Sequence, residues 1–261
     1  SAAFADDDVV LRTMEYAAGL GMTIVFYAEE PQIAKDGCVH QGFIASRQGL
    51  PMIPALAETI AIAKYLLMIE ATGVRAHFGL LSCGASVELI KIAKDKGLNV
   101  TCDVAMHQLH LTEQLIDGFN SLAHARPPLR SEQDKQLLRQ GLKDGVIDTI
   151  CTHHEPLSSS AKLAPFAETL PGITAFDTYV PLGIQLINEG LFEPLEWVEK
   201  VTVSAAKVAN MLERWKTESG WVLIDPQLEW VVAKDTILSQ GKNTPLLGQT
   251  LIGKTERVFV V

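Results

Sequence analysis

The chain is short of basic residues. Its 22 lysines and arginines are outnumbered by 31 aspartates and glutamates, a net charge of −9. Nucleic acids and anionic membrane surfaces are held by basic faces, so neither is expected as a partner. Long apolar runs are also missing. No stretch approaches the roughly 18 residues that a bilayer-crossing helix needs. The first ten residues are acidic and show no basic, apolar-cored leader, so a cytoplasmic protein is expected. Cysteine is scarce: Cys38, Cys83, Cys102 and Cys151 are the only four, and no two form a C-x-x-C pair. A chain of this size buries a core without staples, so reduced thiols are expected. Internal repeats and low-complexity tracts are absent.

What remains is an ordinary globular composition, 48% hydrophobic and 20% charged over 261 residues. That length suits one large domain or two small ones. Helical periodicity over Val9–Leu20 stops at glycines 19 and 21. A continuous apolar run, Met22–Tyr27, follows as a strand. A glycine- and proline-rich loop leads into a long helix, Ala55–Thr72. Then come a strand (Val74–Leu81), a helix (Ser86–Lys96), a strand (Leu98–Ala105) and an irregular segment. Ser131 is placed to cap a helix, Glu132–Lys143, before a last strand, Gly145–Cys151. Strands of near-continuous apolar character alternating with helices predict parallel β/α units. The final third differs. Leu195–Trp215 is helical, and the short runs Trp221–Asp225, Trp230–Val232 and Arg257–Val261 form a small β appendage. Four β/α strands cannot close an eight-stranded barrel. The sheet is open, or the first half of a barrel lies outside this chain. Ser1–Asp8 has the character of a strand end and its loop.

Attention falls on "DTICTHHEPLSSSAKLAPF", residues 148–166. A β-branched run ends in His153-His154, then Glu-Pro and a serine-rich loop, the way a barrel strand delivers catalytic side chains at its C-terminal end. A hydrolase would carry an acid before the second histidine, and here there is His153.

Four stretches together resemble the dihydroorotases: "KDGCVHQGFIASRQGLPMIPALAETIAIAKYLL", "GASVELIKIAKDKGLNVT", "PPLRSEQDKQLLRQGLKDGVIDTI" and "KNTPLLGQTLIGK". The resemblance runs in order along nearly the whole chain. It implies an α/β protein, a (β/α)₈ TIM-type barrel of the amidohydrolase kind with a β-sandwich built from both chain ends. Only the C-terminal half of the barrel is expected here, over residues 1–217, with sandwich strands over 218–261. Ring opening of a cyclic amide needs a hydroxide, which the family generates on zinc held by histidines and a carboxylate. A separate aspartate moves the proton.

Position by position, that chemistry has gone. The acid pair of the family matches Asp6-Asp7, which apart from the resemblance reads as a solvated acidic loop or a helix N-terminus. Tyr27 stands where a zinc histidine is expected, and tyrosine, with a pKa near 10, is a poor ligand. Leu80 stands at the next histidine. His77, three residues earlier on the strand, points to the other face and is expected to be a satisfied interior histidine. Ala105, His107 and His110 fall in the family's T-P-H-H region, with His107 and His110 expected to serve packing or the surface. The family's substrate asparagine is Arg126. His153 replaces the proton-shuttling aspartate and Leu157 the last histidine, while His154 and Pro156 remain. Tyr27, Leu80, His153 and Leu157 are thus degenerate positions, and no cofactor is expected.

Three functions stay open. The first is an inactive dihydroorotase homologue that acts as a structural partner of aspartate transcarbamoylase, in a hetero-oligomer that also includes the missing N-terminal half of the barrel. The second is an active zinc-dependent cyclic amidohydrolase with a rebuilt metal site of Asp6, Asp7, His153 and His154. The third is a different hydrolase, or a binding protein, that uses the pocket without metal.

Overall fold

The computed structural model of the chain describes residues 6–218 and 220–259. Ser1–Ala5 and Val260-Val261, which carry part of the expected strand end and of the last β run, lie outside the described residues.

Helix α1 (Asp7–Gly19) begins on two acids, Asp7 and Asp8, which suit the positive end of its dipole. Strand β1 (Thr23–Tyr27) follows. The loop read from its glycines and prolines holds more order than its composition suggests. It contains α2 (Pro31–Ala34), β2 (Val39–His40), α3 (Phe43–Gln48) and β3 (Met52–Ile53), with β2 and β3 paired in parallel. These elements are too short for hydrophobic periodicity to reveal. Next come α4 (Leu56–Thr72), β4 (Arg75–Gly79), α5 (Gly84–Asp95) and β5 (Val100–Ala105). Three short 3₁₀ turns fill the irregular segment. Helix α6 (Glu132–Lys143) carries the expected cap. Ser131 Oγ accepts from Asp134 N at 3.1 Å, and Asp134 accepts back from Ser131 N. The other Asp134 oxygen takes Gly84 N at 2.9 Å, which ties α6 to the start of α5.

Strand β6 is shorter than expected, Thr149–Cys151. Its approach is organised by Asp148, whose carboxylate accepts from Cys102 N and from Lys94 Nζ, at 2.8 and 2.7 Å. Helix α7 (Phe176–Asn188) follows, and α8 (Pro194–Val201), α9 (Val203–Val208) and α10 (Leu212–Glu218) make up the helical region expected over 195–215.

β1, β4, β5 and β6 form one parallel sheet in the order β1-β4-β5-β6. This is the expected β/α architecture, and it is open: among the described residues no further strand pairs with β1 or β6. Because the strands are parallel, their C-terminal ends share one rim. Tyr27 pairs with Gly79, and Ala105 with Cys151.

The β appendage is a hairpin of two long antiparallel strands, β7 (Trp221–Val231) and β8 (Thr250–Phe259). The two runs expected at Trp221–Asp225 and Trp230–Val232 merge into one strand with an irregular register between Asp225 and Glu229. The expected final run starts earlier, at Thr250. The base of the hairpin joins the main core. Trp230, Val232 and Leu251 are buried in the same cluster as Phe78, Ile147 and Trp197. Gly253 admits Ile184 of α7, which would lie 2.1 Å from a Cβ at that position. The far end, with Trp221, Val222, Val258 and Phe259, is exposed.

Candidate functional site at the strand ends

The rim of the sheet surrounds a cavity of about 570 Å³. Tyr27, Leu80 and His153 all line it, together with Asp103, Cys151 and Glu155. Ala105 stands at the same rim but is buried. The strand tips therefore converge on one mouth, where barrel chemistry is housed.

Each tip is held in a specific way. Gly79 leaves room for the Tyr27 ring, whose Cε1 would come within 2.9 Å of a Cβ. Burial, then the charge of Asp103 and the Cys151 thiol, hold the Tyr27 phenol above its ordinary pKa, so it stays neutral. Leu80 and His153 both have positive φ, 61° and 44°. Side-chain-bearing residues rarely adopt that conformation, and strained backbone of this kind concentrates at functional sites. The backbone N–H of Leu80 donates to Asp103 Oδ1 at 2.8 Å.

Asp103 is the residue that sequence reasoning passed over. It sits inside the apolar run "LNVTCDVA" and reads as a strand residue. Its Oδ2 lies 2.9 Å from His77 Nε2, while His77 Nδ1 lies 2.9 Å from Thr101 Oγ1. His77 is thus the satisfied interior histidine expected, and its partner is a wall of the cavity. The Cys151 thiol also bonds to Asp103. Burial first, and that carboxylate second, push the thiol well above its usual range, so it is no nucleophile.

The two histidines of residues 153 and 154 part company. His154 Nδ1 accepts from the backbone N–H groups of Ala175 and Phe176, both at 3.1 Å, and its ring stacks on Phe176. It serves the start of α7. A neutral imidazole whose Nδ1 accepts carries its proton on Nε2, so neither nitrogen is free for a metal. His153 instead stacks on His107, with centroids 5.3 Å apart. His107 is buried with neither nitrogen partnered, and burial, with His153 and His110 nearby, lowers its pKa to about 3. The expectation of packing roles for His107 and His110 fits this burial.

Asp7 pairs with Lys64 at 2.8 Å, and Lys64 also reaches Glu30 at 3.1 Å. Asp6 precedes α1 and makes no side-chain cap bond. The alternative set of Asp6, Asp7, His153 and His154 is therefore not assembled. Among the described residues no three His, Cys, Asp or Glu side chains stand together as metal ligands. Leu157 contributes backbone only, its N–H donating to Asn243 Oδ1 at 2.7 Å. Asn243 Nδ2 in turn donates to the carbonyls of Glu155 and Gly172, so the "KNTPLLG" segment anchors the loop that follows β6.

The floor of the mouth is a buried polar network. Glu58, from the "GLPMIPALAE" segment, accepts from the hydroxyl and backbone N–H of Ser82 and from Ser86 Oγ, the last at 2.6 Å. Arg130, from "PPLRSE", donates to Ser82 Oγ and to the Ile53 carbonyl, with its guanidinium 3.8 Å from Glu58. Arg126, in the family's asparagine position, forms a two-pronged ion pair with Glu29 across the mouth.

Comparison with known proteins agrees with this geometry. A family model described as dihydro-orotase-like matches residues 5–86. A dihydroorotase-like protein of Pseudomonas aeruginosa is 39% identical over 98% of this chain and 61% of its own length. A dihydroorotase of Trichlorobacter lovleyi is 34% identical over 95% of this chain and 59% of its own. In structure, the L-hydantoinase (dihydropyrimidinase) of Arthrobacter aurescens superposes with a TM-score of 0.83 at 21% identity, over 99% of this chain and 60% of that one. The chain thus has an α/β fold similar to that of the L-hydantoinase. Its sequence is similar to those of dihydroorotases and dihydroorotase-like proteins along nearly its whole length. It spans about three fifths of the length of the curated relatives it matches.

Proposed function

We propose that this chain is part of a catalytically inactive dihydroorotase-like protein that serves as a structural partner of aspartate transcarbamoylase in the cytoplasm. Its four-stranded sheet is read as the second half of a (β/α)₈ barrel, with residues 1–217 in the barrel and 218–261 in the sandwich. The coverage of about 60% of the superposed hydantoinase supports that reading, as do the unpaired outer sides of β1 and β6. One observation carries the functional reading. The two motifs most specific to the resemblance meet in the intact Glu58–Ser82–Arg130 network. Directly above it, Tyr27, Leu80 and His153 replace the groups that would hold zinc and move the proton. Most core changes cost stability, so a retained body over an altered mouth points to a role for the body.

The test is co-purification. The protein and aspartate transcarbamoylase mixed at micromolar concentration are expected to elute as one complex, with well under one zinc per chain. Separate elution overturns the partner role. Turnover of dihydroorotate at about 1 s⁻¹ or more overturns the inactive one.

A further inference from the structure

We propose that residues 158–171 are a flap that opens as one unit from a dock on His124, about ends held by Asn243, and that acid drives the opening. The inference does not depend on the transcarbamoylase reading. The flap follows β6 and Glu155, a wall of the mouth. Its two ends are tied to one side chain. Asn243 Oδ1 takes the Leu157 N–H at 2.7 Å, and Asn243 Nδ2 donates to the Gly172 carbonyl at 2.9 Å. Between those ends the segment bonds to itself. The N–H groups of Ala161, Leu163 and Leu170 donate to the carbonyls of Ser158, Ser160 and Ala161, and the Lys162 ammonium donates to the Leu170 carbonyl. A surface loop with joined ends that packs on its own side chains is a compact unit, often put to functional use.

Only Lys162, Phe166 and Thr169 of the flap are buried, and all three reach His124. The Lys162 ammonium donates to the His124 carbonyl at 3.0 Å. The Phe166 ring, which also enters the main apolar cluster, stacks on the imidazole with centroids 5.0 Å apart. Thr169 Oγ1 lies 2.7 Å from His124 Nδ1. Besides these, Ser121 Oγ donates to the Lys162 carbonyl. The Thr169 hydroxyl gives its proton to the Phe166 carbonyl, so it accepts from His124 Nδ1–H. A second proton must then enter at Nε2, and the charge it brings has no acid to meet. The charges acting on His124 are those of Lys162 and Arg126, both positive. The nearby acids serve other groups: Glu155 acts on Lys162, Glu29 pairs with Arg126, and Glu168 is exposed. Burial, then Lys162 and Arg126, lower the pKa of His124 to about 4, while burial lowers that of Lys162 to about 8. The dock thus bears one charge with difficulty and resists a second. Opening returns His124 to water, where it takes a proton near pH 6.5.

Hydrogen exchange of the Thr169 and Leu170 amides, read by NMR on the 261-residue chain and corrected for intrinsic rates, measures the opening. At pH 7 these amides are expected to exchange at least about tenfold faster than the slowest amides of α6, which wait for global unfolding. From pH 7 to 5 the open population of the flap is expected to rise about twentyfold, as the imidazole passes from a pKa of about 4 to one near 6.5. His124→Asn keeps an N–H for Thr169 but takes no proton, so its flap should open equally at both pH values. The comparison of the two pH values in the unaltered chain stands even if that variant fails to fold. Exchange no faster than the slowest amides of α6 overturns the proposal. So does a rise below about threefold between pH 7 and 5, or the same rise in His124→Asn.

Discussion

The strand tips and the buried network below them line the same cavity, yet they are built on different terms. In the network nearly every polar atom is matched. Glu58 is 4% exposed and collects hydroxyl and backbone donors, while Arg130, 3% exposed, spreads its bonds over Ser82, His40 and Ile53. A buried charge survives only with such partners. At the tips, the side chains are apolar, strained or unpartnered. Leu80 and His153 sit at positive φ, and nitrogens of His107 and His153 have no bond. The lesson is that folding demands the lower layer and leaves the upper one free. Removing a network member leaves an uncompensated charge in the core, whereas changing a tip alters what the mouth can do with small effect on stability.

The contrast can be broken most forcefully at Glu58. Glu58→Ala strands the Arg130 guanidinium and is expected to cost about 3–5 kcal/mol, read from urea unfolding. A loss below about 1 kcal/mol would mean the network is no more demanding than the tips.

Acid acts on the molecule through buried imidazoles. Burial lowers the pKa of His107 to about 3 and that of His124 to about 4. Both are below the unfolded value near 6.5, so the unfolded chain binds protons more readily. The stability of the neutral forms is complete above pH 6.5 and is lost as pH falls toward the folded values. Each histidine is expected to contribute about 1–2 kcal/mol of destabilisation between pH 7 and 5. Melting curves at the two pH values measure it, and His107→Phe should flatten the dependence.

An effect of similar size is expected at Asn243, whose amide joins Leu157 to the carbonyls of Glu155 and Gly172. Asn243→Ala leaves those groups unpaired and should cost about 1–3 kcal/mol by thermal or urea melts. Smallest of all is the double change Tyr27→His with Leu80→His. It returns two imidazoles to the rim but neither a base at His153 nor a free nitrogen at His154. No hydrolysis of dihydroorotate above background is expected, with zinc supplied. Measurable turnover would show that the tips are closer to function than their chemistry indicates.

The β/α alternation, the Ser131 cap and the convergence of Tyr27, Leu80 and His153 were legible because they depend on near neighbours in sequence. A strand tip is named by where its apolar run stops, and parallel strands put their tips at one rim. The role of His154 was not legible. Adjacent histidines look like a pair, but a positive φ at His153 turns the two apart, one to α7 and one to His107.

Composition and short-range pattern determined the class of fold and the reduced cysteines expected of it, while the family resemblance marked Tyr27, Leu80, His153 and Leu157 as positions that depart from its pattern. Tertiary structure decided what surrounds those positions. Asp103 became a wall of the cavity through contacts with His77, 26 positions away in the chain, and with Leu80, 23 away. Arg130 found Glu58 and Ser82 only when the β4–α5 turn, α4 and the segment before α6 were brought together. A residue's charge is written in the sequence. Whether that charge is spent on a partner or left facing a cavity depends on distances of a few ångströms between distant segments, and only packing sets those.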